Sequence, residues 1–144
     1  MHKAVCKTLF DRQVGFAPAL LVARGWEVLT CEFPVLEVLF TGAGRVPLRL
    51  KMGCADWNEL PPSIGLLDRK GNYLSVIPRD PAGVFNPSVH PSLGRPFICM
   101  RGSLEYHIHP SHVNDPWEQL RGKSGYDLGG ILTQVWRAWK KAQP

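Results

Sequence analysis

The chain has no apolar run long enough to span a bilayer, which takes about 20 predominantly apolar residues as a helix. It also lacks any C-x-x-C pair. Cys6, Cys31, Cys54 and Cys99 stand far apart, so the paired spacing of a zinc ribbon is excluded. There is no internal repeat, no low-complexity tract, and no basic run interleaved with aromatics of the kind that grips nucleic acid. The stretch "VGFAPALLVARG" (Val14 to Gly25) faintly resembles a signal-peptide core. It lies late in the chain, contains Pro18 and has no convincing small-x-small exit site, so secretion is not expected. The expected setting is the cytoplasm, where the four cysteines are reduced thiols.

What the chain does have is the composition of a globular protein. Its 144 residues are 44% hydrophobic and 20% charged, which fits one domain over residues 1–144. A chain of this length buries about 68–70% of its unfolded surface and needs no disulfide to hold a core. Lys and Arg outnumber Asp and Glu by 17 to 12, a net charge of +5. The basic residues gather toward the ends, as Lys3, Lys7 and Arg12, then Arg121, Lys123, Arg137, Lys140 and Lys141. That pattern fits a solvated surface or a docking face for an acidic protein partner, with no nucleic acid and no membrane expected.

Hydrophobic spacing predicts the elements. The first two dozen residues carry a helical pattern, in which Leu20, Leu21 and Arg24 precede the stop signal Gly25 and Pro18 suits a first turn. Three short β-like runs follow, "WEVLTCE", "VLEVLFTG" and "VPLRLKM". Pro34 separates the first two and "TGAGR" turns the second into the third. Leu48 and Leu50 alternate with Arg49 and Lys51, as a half-buried strand requires. Pro61-Pro62 forces an extended lead into a fourth run, "SIGLLD", and "RKGN" followed by "YLSVI" fits a closing hairpin.

From Pro78 to Pro96 the chain is a proline-rich loop with little periodicity, of a length usually functional or disordered. Last comes an amphipathic helix from Leu128 to about Lys141, capped by Asp127. Its apolar stripe is Leu128, Ile131, Leu132, Val135, Trp136 and Trp139. Gly129 and Gly130 weaken its first turn, and Lys140 and Lys141 suit its negative C-terminal end.

The stretch "HPSLGRPFICM" (His90 to Met100) carries the candidate chemistry. Cys99 sits between Ile98 and Met100, and that setting admits two readings, a buried apolar filler or a nucleophile at the end of a proline-pinned loop. Downstream, "EYHIHPSH" places His107 and His109 on the same side of a strand, with His112 after a turn. Together with His90 or Cys99, those histidines fit a zinc site of mixed nitrogen and sulfur ligands, although no carboxylate-bearing metalloenzyme motif accompanies them. Surface histidines in a loop are the plainer reading, and no metal or cofactor is expected.

The order of these elements, and the pieces "VPLRLKM", "WNELPPSIGLL", "HPSLGRPFICM", Trp117 and "YDLGGILTQVWRAW", resemble the ubiquitin-conjugating enzyme family over roughly residues 26–140. That family has a Pro-Pro, then His-Pro-Asn before a catalytic cysteine written Ile-Cys-Leu, a later tryptophan and a helix behind the site. The resemblance implies an α/β fold of that type. It would have an N-terminal helix, an antiparallel four-stranded meander, a long active-site loop and a C-terminal helix packed behind the sheet. The chain departs from the pattern at Ser92, where the family has asparagine, in a longer connection from Pro62 to His90, and in the extra "HIHPSHVNDP" before Trp117. It carries one closing helix where eukaryotic members carry more. In this it looks like the bacterial ubiquitin-like conjugation proteins, which often travel with an activating enzyme and a JAB-type peptidase.

By that resemblance, Cys99 is the thiol that accepts a ubiquitin-like protein from an activating enzyme and passes it to an amine on a target protein. Sulfur suits both steps, as a good nucleophile and a good leaving group. Its apolar neighbours raise its pKa, and Arg95 or Arg101 would lower it if either folded over the sulfur. The oxyanion formed on attack needs a donor, which the family supplies from its asparagine. Here Ser92, His107 and His109 are the candidates, with Asn86 and Asn114 as substitutes from loops. His90 stands with Cys99, Ser92, His107 and His109 among the candidate catalytic residues, although it reads chiefly as a residue that hydrogen-bonds its own loop. ATP would be used by the activating enzyme. Two other functions stand beside the conjugating enzyme: a non-catalytic scaffold of the same fold that binds ubiquitin-like proteins, and a His/Cys metal-binding protein.

Overall fold

The structure, a computed structural model, describes residues 1–142, and within them the side chains at 16–18, 20 and 21 fall outside the description. Helix α1 runs Lys3–Gln13, and a 3₁₀ turn leads into α2, Ala17–Arg24. The expected apolar positions Leu20 and Leu21 therefore lie outside the described side chains. Gly25 follows α2 with φ +66°, a left-handed conformation that a glycine adopts without steric penalty, so the helix stops where the sequence predicts.

Four strands follow as an antiparallel meander in the order β1-β2-β3-β4. They are Glu27–Glu32, Val35–Phe40, Leu48–Gly53 and Ser63–Leu67. Register comes from the apolar alternation. Leu36 faces Met52, Val38 faces Leu50 and Phe40 faces Leu48, while Met52 and Leu50 in turn face Ile64 and Leu66. These side chains form one buried surface. A slip of one residue would turn the whole set to the opposite face of the sheet. On that opposite face the Arg49 guanidinium pairs with Glu37 at 2.6 Å.

Pro61 and Pro62 are buried and lead straight into β4. The hairpin expected after it is reduced to a single bridge between Leu67 and Tyr73, closed by the Asp68 turn. Asp68 closes the turn by accepting from the amides of Lys70 and Asn72, the Leu74 amide then donates to the Leu66 carbonyl at 3.0 Å, and the chain leaves the sheet after that.

Helix α4, Leu128–Lys141, lays Leu128, Ile131, Leu132, Val135 and Trp139 into the core against the sheet. The Trp139 ring packs 5.6 Å from that of Phe40, and its indole donates to the Val46 carbonyl at 3.0 Å. Trp136 is half-buried at the rim, edge-on to Trp26 and covered by the Arg24 guanidinium and the Lys140 ammonium. The Asp127 side chain caps the helix by accepting from the Gly130 amide at 2.6 Å. Gly130 has a steric reason to be glycine, since a Cβ there would lie 2.5 Å from the Gly125 backbone.

Several basic side chains near the ends are matched locally. Lys3 pairs with Asp56, Lys7 with Asp11 and Arg121 with Glu118. Among the described residues no helix is long and apolar enough to cross a membrane.

Candidate active site

The proline-rich loop is ordered by its own side chains. Asp80 accepts from the amides of Ala82, Val84 and Phe85, a turn that delivers the chain into β5, Phe85–Asn86. Strand β5 pairs antiparallel with β6, Phe97–Ile98, and Cys99 follows directly. The Cys99 amide donates to the Val84 carbonyl at 2.7 Å, extending the pairing by one bond. Phe97 and Ile98 are buried, which fixes the strand, and Cys99 is only partly covered at its end.

The sulfur has two polar neighbours. His112 Nε2 lies 3.6 Å from Sγ, and the Asn86 side chain is close enough to favour the thiolate. Asn86 Oδ1 accepts from the Ser88 amide at 2.9 Å, which commits the carbonyl end of that side chain. Burial pushes the Cys99 thiol above its ordinary pKa, and the Asn86 side chain opposes that. Desolvation therefore outweighs stabilisation of the thiolate. A thiol in this state needs a proton acceptor to react at neutral pH, and His112 Nε2 is placed to be one.

The two arginines offered by the sequence are engaged with other partners. Arg95 lies over the Tyr73 ring at 4.1 Å, and Arg101 pairs with Asp115 at 2.9 Å. The other cysteines differ from Cys99 in setting. Cys6 and Cys54 are buried, and burial lifts Cys54 to about 12, so it stays protonated. Cys31 is exposed on β1.

Each histidine has a distinct place. His90 is fully buried, donating from Nε2 to the Glu105 carbonyl at 2.9 Å and accepting at Nδ1 from the Ser92 amide at 3.0 Å. Both ring nitrogens hold the loop, as the sequence suggests for this residue. Ser92 is an exposed turn residue whose amide serves His90. The segment holding His107 and His109 is not the strand that its H-x-H spacing predicts. Ser103 caps a short helix, α3, Leu104–His107, by accepting from the Tyr106 amide, and a 3₁₀ turn at Pro110–His112 follows. That one-turn geometry separates the two rings.

His107 accepts at Nε2 from the Gly102 amide and donates from Nδ1 to the Asp115 carbonyl, at 3.0 and 2.9 Å. Burial lowers its pKa, so the neutral ring is favoured. His109 caps the 3₁₀ turn by accepting at Nδ1 from the Ser111 amide and stacks on Phe97. With both nitrogens of His107 committed, His107, His109 and His112 do not make a ligand set. Among the described residues no three His, Cys, Asp or Glu side chains gather as a metal ion requires.

His112 and Asn86 are thus the groups at the sulfur. Asn86 stood among the loop substitutes in the sequence, whereas His112 entered it only as a possible ligand. The signal for His112 was its place after "HP", where a proline-started turn returns the chain toward Cys99.

A family described as Y4jH-like, the Y4jH family, matches residues 88–142. Those residues hold Cys99, His112 and α4, but not Asn86. Over 41 residues, 28% of this chain, the sequence is 44% identical to the uncharacterized protein y4jH of Sinorhizobium fredii (strain NBRC 101917 / NGR234). That stretch covers 20% of the relative's own length. The family match lies over the C-terminal part of the chain, which holds Cys99 and His112.

Proposed function

We propose that the protein is a thioester carrier of the ubiquitin-conjugating type, with Cys99 as the nucleophile. The observation that carries this reading is the sulfur itself, partly exposed at the end of a paired strand with His112 Nε2 at 3.6 Å. The layout of N-terminal helix, four-stranded meander, long loop and helix packed on the sheet supports it. So does Asn86, an amide near the sulfur that can stand in for the asparagine of that family where this chain has Ser92.

In the first step His112 Nε2 takes the Sγ proton. The thiolate attacks the thioester carbonyl joining a ubiquitin-like protein to its activating enzyme. A new C–S bond forms, the old one breaks, and the proton goes to the departing thiolate. The Asn86 amide stabilises the oxyanion between. In the second step an amine of the target attacks, the C–N bond forms, and Cys99 leaves as thiolate and is reprotonated. ATP is consumed by the activating enzyme. The partners are that enzyme, the ubiquitin-like protein and the target, and the chemistry of reduced thiols sets the reaction in the cytoplasm.

The test is a charging assay with an activating enzyme, ATP and a ubiquitin-like protein. Wild type should give a heavier band that thiol reductant removes. Cys99→Ser should abolish it, or leave a band that resists reductant and yields to hydroxide. Survival of the band in Cys99→Ala, or its transfer to Cys31, overturns the reading.

A further inference from the structure

The imidazole beside Cys99 is held by its ring face. Tyr106 and His112 lie 3.8 Å apart between centroids and are tilted by only 15°, a close parallel stack. The far end of Tyr106 is tied down, because its phenol donates to Asp115 Oδ2 at 2.7 Å. Its near end is set by α3, where the Tyr106 amide donates to Ser103 Oγ. Asp115 is fixed from both sides, its carboxylate by Arg101 and its carbonyl by His107 Nδ1. An unbroken series of contacts therefore runs from Arg101 through Asp115 and Tyr106 to His112 and the sulfur.

An imidazole in a surface turn can rotate about two side-chain torsions, and only a narrow range aims Nε2 at Sγ. A flat ring anchored at both ends removes that freedom. The phenol is suited to the task, since burial and the bond to Asp115 push it up to about 12 and it remains a neutral donor across the working range. Asp115 is held below the ordinary carboxylate value, by the Tyr106 hydrogen bond first and by Arg101, so the anchor keeps its charge.

We propose that Tyr106 is a positioning residue for the Cys99 chemistry, its ring, moored to Asp115, fixing the plane of His112 so that Nε2 stays against the sulfur. This rests on His112 acting as proton acceptor for Cys99. The titratable and charged groups around His112 are Cys99 and Arg101 from the segment after β6, Tyr106 and His107 from α3, His109 from its own turn, and Asp115 beyond it.

The experiment reads Cys99 without any conjugation partner. The rate of its alkylation by iodoacetamide is followed by mass spectrometry from pH 5.5 to 9.5, in a Cys31→Ser background that removes the exposed thiol. His112→Gln should lower the rate at pH 7 by about tenfold and move the inflection upward, as for a thiol returned to a small thiolate fraction. Tyr106→Leu should reproduce that profile, and the double variant should be no slower than either single one. Tyr106→Phe keeps the ring and should retain more than half the rate. Asp115→Asn, which leaves the ring in place while weakening its mooring, should fall between and serves if Tyr106→Leu does not fold. A wild-type profile in Tyr106→Leu and Asp115→Asn overturns the proposal, as does a double variant whose losses multiply. An unchanged profile in His112→Gln overturns it too, while leaving the charging assay free to succeed through Cys99 alone.

Discussion

Glu105 is 4% exposed, packed where α3 meets the start of β4, and its carboxylate accepts from the Ile64 amide at 2.6 Å. It lines a cavity of about 140 Å³ with Lys51, Ser63, Tyr73 and Arg95. Burial lifts its pKa from 4.5 to about 7, against the opposing Ile64 hydrogen bond and the Arg95 charge. The folded protein therefore holds a proton that the unfolded chain has already lost between those two values. Stability from this group is complete below pH 4.5 and falls as pH rises toward 7, then levels off. At about 1.4 kcal/mol per pH unit, the gap between the two pKa values corresponds to about 3 kcal/mol.

Glu105→Gln keeps an oxygen for the Ile64 amide and cannot ionise. Urea unfolding followed by tryptophan fluorescence, at steps from pH 4 to 8, should show the two proteins converging at low pH. The variant should then gain on wild type by about 3 kcal/mol by pH 8. His107 has a lowered pKa and contributes the opposite slope, losing stability as pH falls, but it is common to both proteins and cancels in the difference. Parallel curves across the range would refute the reasoning. They would mean that Lys51 and Arg95 at the cavity solvate the carboxylate and keep it ionised in the fold.

Two further outcomes follow from the packing. Gly130→Ala should destabilise by more than about 1 kcal/mol in spite of alanine's better helix propensity, because the Cβ would sit 2.5 Å from the Gly125 backbone; an equal or higher melting temperature would contradict that geometry. Val135→Asp should cost several kcal/mol by burying an unpaired charge against the sheet, on the order expected of such groups, whereas Trp136→Asp at the half-buried rim should cost less; the reverse order in chemical denaturation would place the helix on another face.

The sequence alone determined the elements whose reasons are local. Alternation at Leu48, Leu50 and Met52 is read directly as a strand with one buried face, because side chains on a strand repeat every two residues. The stripe from Leu128 to Trp139 and the Asp127 cap set the last helix for the same kind of reason, whereas Trp136 sits half-buried at the rim against Trp26. The loop-holding place of His90 was also legible, from its His-Pro turn.

Tertiary structure alone decided what stands beside the sulfur. Asn86 is thirteen positions before Cys99 in the chain, the same interval that separates Cys99 from His112, and both are brought there by contacts made elsewhere. The pairing of β5 with β6 delivers the first, and the Ser103 cap with its short helix and returning turn delivers the second. The H-x-H spacing misled because period-two spacing implies a strand only if the backbone is extended, and here the Ser103 side chain caps a helical turn instead. Which histidine meets the thiol thus turns on two side-chain caps, Ser103 Oγ accepting from the Tyr106 amide and His109 Nδ1 from the Ser111 amide, which set the short helix and the turn that returns the chain to Cys99.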